Sequence, residues 1–168
     1  MKVALFGKVY ADNQKDYLQL LIDELTKRDS QICVFEPYYK AIKAEVNFGE
    51  NISFFNSNRD IKNKVDILFS IGGDGTILDT VPIVRNSGIP ILGINLGRLG
   101  FLSSVSKNEI IDAVNNIFNG DYIIDKRSLL QLIEPKKLFG DIDYALNDLT
   151  IYRNNTTSLI VVHVYVDD

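Results

Sequence analysis

The sequence predicts an α/β protein: an open, mostly parallel sheet with flanking helices, followed by the start of an antiparallel β domain. Three observations carry this. Short apolar runs alternate with helical patterns through the first 125 residues. Glycine clusters stand where two of those runs end. Beyond residue 125 strand-like runs follow one another with no helix between them. Alternation of the first kind builds parallel sheets, and succession of the second kind builds antiparallel ones.

Taken in order, Val3 to Gly7 is a short apolar run closed by glycine, as expected for a buried parallel strand. Tyr17, Leu18, Leu21, Ile22 and Leu25 then recur at helical spacing. Ile32 to Phe35 reads as a second strand, closed by Pro37, so the chain opens with a β-α-β unit. Residues 37 to 63 set Phe54 and Phe55 among asparagines and charges and read as a variable crossing. Val65 to Ile71 is a strand leading into IGGDGTILDT. Thr76-Ile-Leu-Asp79 has the form of a capping box, opening a helix to about Asn86. Gly88 and Pro90 punctuate, and Ile89 to Asn95 is the next strand. Ser106-Lys-Asn-Glu109 is a second capping box, followed by Ile110, Ile111, Val114 and Phe118 on one face and a stop at Asn119-Gly120.

The reading divides the chain into an α/β nucleotide-binding domain over 1–125 and the beginning of a β-rich domain over 126–168. In the second, Ser128 to Ile133, Ala145 to Tyr152 and Ser158 to Val166 are the expected strands, with a hairpin at Asn154-Asn155. SLIVVHVYV is apolar on both faces for most of its length, and such a strand expects cover on each side. The expectation is a fragment, or a region completed by another chain.

Composition bounds the function. With 46% hydrophobic and 24% charged residues, the 168-residue chain is an ordinary globular sequence. A net charge of -4 with no basic stripe argues against nucleic acid, and it requires local donors to hold any anionic ligand. The single cysteine, Cys33, excludes an internal disulfide framework and fits a reducing compartment. No run approaches the roughly 18 apolar residues of a membrane span, so the expectation is cytoplasmic, with no membrane partner.

The chemistry centres on Gly72-Gly73-Asp74-Gly75. In an open α/β sheet ligands bind at the carboxyl ends of strands, where this loop stands. Glycines let backbone amides approach a phosphate, and the helix start adds N–H groups and the positive end of its dipole. No Lys-Ser/Thr pair follows, so this is not a P-loop, and the spacing is not that of a dinucleotide fingerprint. The distinctive residue is Asp74. A carboxylate beside polyphosphate needs a metal or a proton to accept, and both suit phosphoryl transfer to a hydroxyl. Taken alone, Asp74-Gly75 also fits an ordinary turn.

A second loop, GINLGRLGFL, follows the next strand and would converge on the first. Arg98 can grip a phosphate with both arms of its guanidinium. Phe101 can stack on a ring, although composition alone favours core filling. A third stretch, ALNDLTI, interrupts an apolar strand with Asn147-Asp148, which suits a sugar or base and equally a sheet-edge turn.

Together GGDGT, NLGRLGFL and NDLTI resemble the NAD kinase family, and Arg127-Ser-Leu-Leu130 resembles its strand at the domain junction. The likeness runs from about residue 2 to the end. GGDGT alone is shared with lipid kinases, and the LGFL stretch makes the combination specific. The resemblance implies transfer of the γ-phosphoryl of ATP, or of polyphosphate, to the 2′-hydroxyl of the adenosine ribose in NAD, with Mg²⁺ accompanying ATP. It implies the fold of the NAD kinase and diacylglycerol kinase N-terminal domain, and homo-oligomers through the β region. Asp74 would orient or deprotonate the hydroxyl, and Gly72, Gly73, Gly75 and Thr76 would shape the phosphate site. Phe101 would line the dinucleotide pocket, Asn95 and Arg98 of the same loop would be cofactor-binding, and Asn147 with Asp148 would bind the adenosine side. No residue is assigned to a metal.

Two departures stand out. Asp148 replaces the usual Glu and is one methylene shorter. The family's further glycine- and threonine-containing segment is not in this sequence, so the chain alone is expected to bind NAD weakly and turn over poorly. The alternatives are a lipid kinase built on the same loop and a non-catalytic nucleotide-binding fragment. His163 is expected in a core or interface and Cys33 in buried packing. Asp66 is expected at a strand edge and Asp79 at a helix cap.

Overall fold

The computed structural model describes residues 1–8, 12–97, 100–103, 105–152 and 159–166. The chain divides into two compact units, Met1–Arg127 and Ser128–Asp168.

The first unit is built on six parallel strands: β1 (Lys2–Gly7), β2 (Gln31–Phe35), β3 (Ile52–Phe55), β4 (Ile67–Ile71), β5 (Ile91–Asn95) and β6 (Val105–Ser106). Their order across the sheet is β3-β2-β1-β4-β5-β6. Four helices run between these strands, α1 (Lys15–Thr26), α2 (Glu36–Ile42), α3 (Asn58–Ile61) and α4 (Asp74–Val84), and α5 (Ile110–Asn119) follows β6. Alternate residues of a strand face opposite sides, and β1 shows both sides buried. Val3 and Leu5 join Leu18, Leu21, Ile22 and Leu25 of α1 and Val114 of α5 in one core. Ala4 and Phe6 join Ile61 of α3 and Val84 of α4 in the other. The sheet is covered on both faces, which is why its central strands read as unbroken apolar runs.

The structure corrects the crossing expected over residues 37 to 63. Pro37 sits in the first turn of α2, where its missing N–H costs nothing, so one residue ends a strand and opens a helix. Ile52–Phe55 pairs with β2 as an edge strand, and its mixed polarity follows from its exposed side. Ser57 and Asp60 then form a capping box at the start of α3. The box expected at Ser106 and Glu109 is present and opens a 3-10 turn that runs into α5. Gly120 closes α5 in the left-handed conformation with φ of 80°.

In the second unit, β7 (Leu130–Gln131) and β8 (Tyr144–Ala145) pair antiparallel. The expected strands 128–133 and 145–152 shrink to these two short pieces. Residues 159–166 form no strand and lie exposed, against the strand expected for SLIVVHVYV and against a core place for His163 within this chain. A strand persists through its partners, and no described segment of this unit pairs with 159–166. The hairpin expected at Asn154-Asn155 lies outside the described residues.

Candidate functional site

The strand order reverses between β1 and β4, which are neighbours although the chain visits β2 and β3 between them. The crevice beyond the carboxyl ends of two such strands is where open α/β sheets bind ligands. Here β1 delivers Gly7 and Lys8, and β4 delivers Gly72 to Gly75. A Cβ on Gly7 would come within 2.6 Å of the Tyr38 ring, so only glycine fits under that ring at the end of β1.

Gly72 turns the chain out of the sheet. Its φ of +146° disfavours any side chain, and a Cβ there would lie 2.3 Å from Thr76 Oγ1. Its N–H donates to the Ile94 carbonyl at 2.9 Å, tying the end of β4 to β5. Gly73 is the N-cap of α4 in extended conformation, and the helix begins at Asp74. The capping box expected at Thr76 and Asp79 is therefore absent. With Gly73 able to take the cap geometry, Thr76 falls inside the first turn and donates its N–H to the Gly73 carbonyl at 2.9 Å. Asp79, freed from capping, pairs with Lys8 (Nζ to Oδ2 2.8 Å). The N–H groups of Asp74 and Gly75, ahead of the Thr76 bond, have no acceptor within the helix and stand at the switch point.

Asp74 is held by the second glycine motif. Its Oδ2 accepts the Phe101 N–H at 2.7 Å, and its Oδ1 accepts those of Leu102 at 2.9 Å and Ser103 at 3.0 Å. Ser103 Oγ also donates to the Gly72 carbonyl at 3.3 Å. The amides of Ser103, Phe101 and Leu102 hold the Asp74 carboxyl below the usual aspartate range, with desolvation opposing them in part. Asp74 is thus an ionised acceptor of fixed direction, suited to orienting a hydroxyl.

The structure brings Gly72, Gly73, Asp74, Gly75, Thr76 and Phe101 together. Phe101 is 86% exposed, which overturns core filling. Asn95 is only 3% exposed, and its Oδ1 accepts the Gly97 N–H at 2.9 Å, so it shapes the loop from beneath. Arg98 lies outside the described residues. Asn147 and Asp148 belong to the second unit, just past β8, and both are exposed. Asp66 accepts the Lys2 N–H at 2.7 Å, as expected of a strand edge. Cys33 is partly buried in β2, where burial pushes its thiol pKa up. Sequence reasoning missed Lys8, Gly100 and Ser103. Lys8 had a usable signal, a cation directly after the glycine that ends β1. Among the described residues no group of acidic, His or Cys side chains is placed to hold a metal ion by itself.

A parallel sheet covered by helices on both faces, with a glycine loop and a fixed carboxylate at its switch point, defines an open α/β class of protein whose ligand sites lie at strand ends. The comparisons with known proteins narrow it. The family model of the ATP-NAD kinase N-terminal domain matches residues 11–122. The NAD kinase of Cytophaga hutchinsonii is 33% identical over 99% of this chain and 57% of its own length. That of Flavobacterium psychrophilum is 35% identical over 99% and 58%. The crystal structure of yeast NADH kinase complexed with NADH has a TM-score of 0.64 at 23% identity, covering 78% of this chain and 41% of that one. An NAD kinase from Archaeoglobus fulgidus in complex with ATP has a TM-score of 0.51 at 21% identity, covering 80% and 44%. These two structures bear on the fold. The chain belongs to the NAD kinase family. It spans a little over half the length of the curated relatives it matches.

Proposed function

We propose that the protein carrying this chain transfers the γ-phosphoryl group of ATP to the 2′-hydroxyl of the adenosine ribose of NAD, forming NADP. The observation that supports this most is Asp74, held ionised by three amides of the neighbouring motif at the start of α4. Phosphoryl transfer passes through a loose transition state, so positioning and charge stabilisation matter more than a strong base. Gly72, Gly73, Gly75 and Thr76 form the phosphate loop. Phe101 serves the dinucleotide, Arg98 and the loop that Asn95 shapes belong to the nucleotide-binding set, and Asn147 and Asp148 serve the adenosine side.

Mg²⁺ enters with ATP. The ion is commonly held by substrate phosphates with one or two carboxylates rather than by a dedicated protein cage. Lys8, half-exposed beside Asp79, offers a point charge to phosphate in the same crevice. Residues 1–125 act as the nucleotide-binding domain, and 126–168 begin a β-rich NAD-binding and oligomerisation region. The proposed setting is cytoplasmic; among the described residues no helix is long and apolar enough to cross a membrane. The lipid-kinase alternative is not favoured, since the relatives are NAD kinases.

The test is NADP formation from ATP, Mg²⁺ and NAD by this chain and by a version extended to the length of its relatives. Activity in the extended protein, reduced about 100-fold or more in Asp74→Asn, is the expected result. An extended protein that forms no NADP would sink the proposal.

A further inference from the structure

Gly100 has no role in the reading above, yet it lies against the carboxylate at the centre of the site. A Cβ on Gly100 would stand 2.2 Å from Asp74 Oδ1, 2.5 Å from Cγ and 2.7 Å from Oδ2. Any side chain there would push the carboxylate from its place. The next three residues supply the N–H groups that the carboxylate accepts. Gly93 on β5 serves the same arrangement from below. A Cβ there would lie 2.9 Å from the Ser103 Cα, a backbone atom that cannot yield without carrying its amide away.

The stoichiometry is informative. A carboxylate has about four acceptor directions, two on each oxygen. Oδ1 accepts two amides, from Leu102 and Ser103, and is filled; Oδ2 accepts one, from Phe101. One direction remains. We propose that Gly100 and the Phe101–Ser103 amides are a positioning cradle that leaves Asp74 a single acceptor direction, on Oδ2, for the attacking hydroxyl. This rests on the kinase reading for the identity of that hydroxyl.

In the step so arranged, the ribose oxygen–phosphorus bond forms as the bond from the γ-phosphorus to its bridging oxygen breaks. ADP keeps that electron pair, and the hydroxyl proton leaves through Oδ2 to water. Gly100 acts only through Asp74 and is a positioning residue. Asp74→Asn is then more than the loss of a charge. Its amide nitrogen would face at least one backbone N–H, donor against donor, and loosen the cradle as well.

The experiment reads the cradle and the reaction separately. Amide proton NMR on the 168-residue chain follows Phe101, Leu102 and Ser103 during acidification. The expected result is three resonances shifted downfield that move together with one midpoint, and that lose both features in Gly100→Ala and in Asp74→Ala. Three amides that do not titrate together would overturn the cradle. In the extended protein, Gly100→Ala should lower kcat roughly 100-fold, as for an ångström of misplacement, with the KM for ATP little changed. An intact cradle in wild type with kcat unchanged in Gly100→Ala would overturn the positioning role. An intact cradle in an extended wild-type protein that forms no NADP would defeat the kinase reading, and the positioning role with it, while the cradle itself stands.

Discussion

Asp74 and Phe101 show how a residue's neighbours decide its chemistry. A free aspartate titrates near 3.9, and the amides of Ser103, Phe101 and Leu102 lower that value in the folded chain. A carboxyl whose pKa is lowered by folding stabilises the fold above its unfolded pKa, and that contribution is lost as pH falls through the folded value. The 101–103 loop should therefore hold across the neutral range and release below the ordinary aspartate midpoint, which hydrogen exchange of those amides against pH would show. Release at pH 5 to 6 would contradict it. Phe101, 86% exposed, packs no core. Phe101→Ala should leave unfolding within about 0.5 kcal/mol of wild type. It should raise the KM for NAD about tenfold, the scale of one ring stacked on a base. A drop in thermal stability with unchanged KM would return Phe101 to a packing role.

At the scale of elements, α1 and α5 are joined by a polar node at the edge of their apolar contact. Arg28 donates to Glu24 Oε2 at 2.6 Å and to the Glu24 carbonyl at 2.7 Å, both on α1. It also donates to Asn115 on α5 and lies 5.5 Å from the Phe118 ring centroid. The Glu24 side chain is 9% exposed and accepts Lys27 as well, at 2.6 Å. Lys27 first and Arg28 second hold the Glu24 carboxyl below the usual range, against the opposing effect of burial. Removing the guanidinium leaves that carboxylate under-paired, so Arg28→Ala should cost about 2 kcal/mol in chemical unfolding. The loss should shrink in acid, as Glu24 becomes protonated in both forms. A cost that is negligible at neutral pH would mean that solvent already screens the pair.

For the whole molecule, the two units differ in how their backbone is held. In the first, central strands are paired on both sides and buried on both faces. In the second, the described ladder is two residues long on each strand, and apolar side chains such as Leu159, Val161 and Tyr165 lie open to solvent. Backbone protection follows burial and pairing. Amides of β1 and β4 should exchange slowest in the isolated chain, and described amides of 159–166 should exchange with little protection. Strong protection of 159–166 would show a pairing that the short β7-β8 ladder does not provide.

The sequence by itself determined the alternation of buried strands and helices, because apolar runs and 3.6-residue spacing are local signals. It also determined the second capping box, the Gly120 stop and the family, because glycine motifs record where a backbone must approach something closely. Residues 37 to 63 escaped it, since an edge strand half-open to water has no clean period and Pro37 serves two elements at once. Only the tertiary structure decided that α4 starts at Asp74, that Asp79 pairs with Lys8, and that Gly100 lies against a carboxylate 26 positions earlier in the chain. Those facts depend on which strand ends meet across the sheet. A contact between distant segments leaves no period in either one, so it is settled by the packing that brings them together.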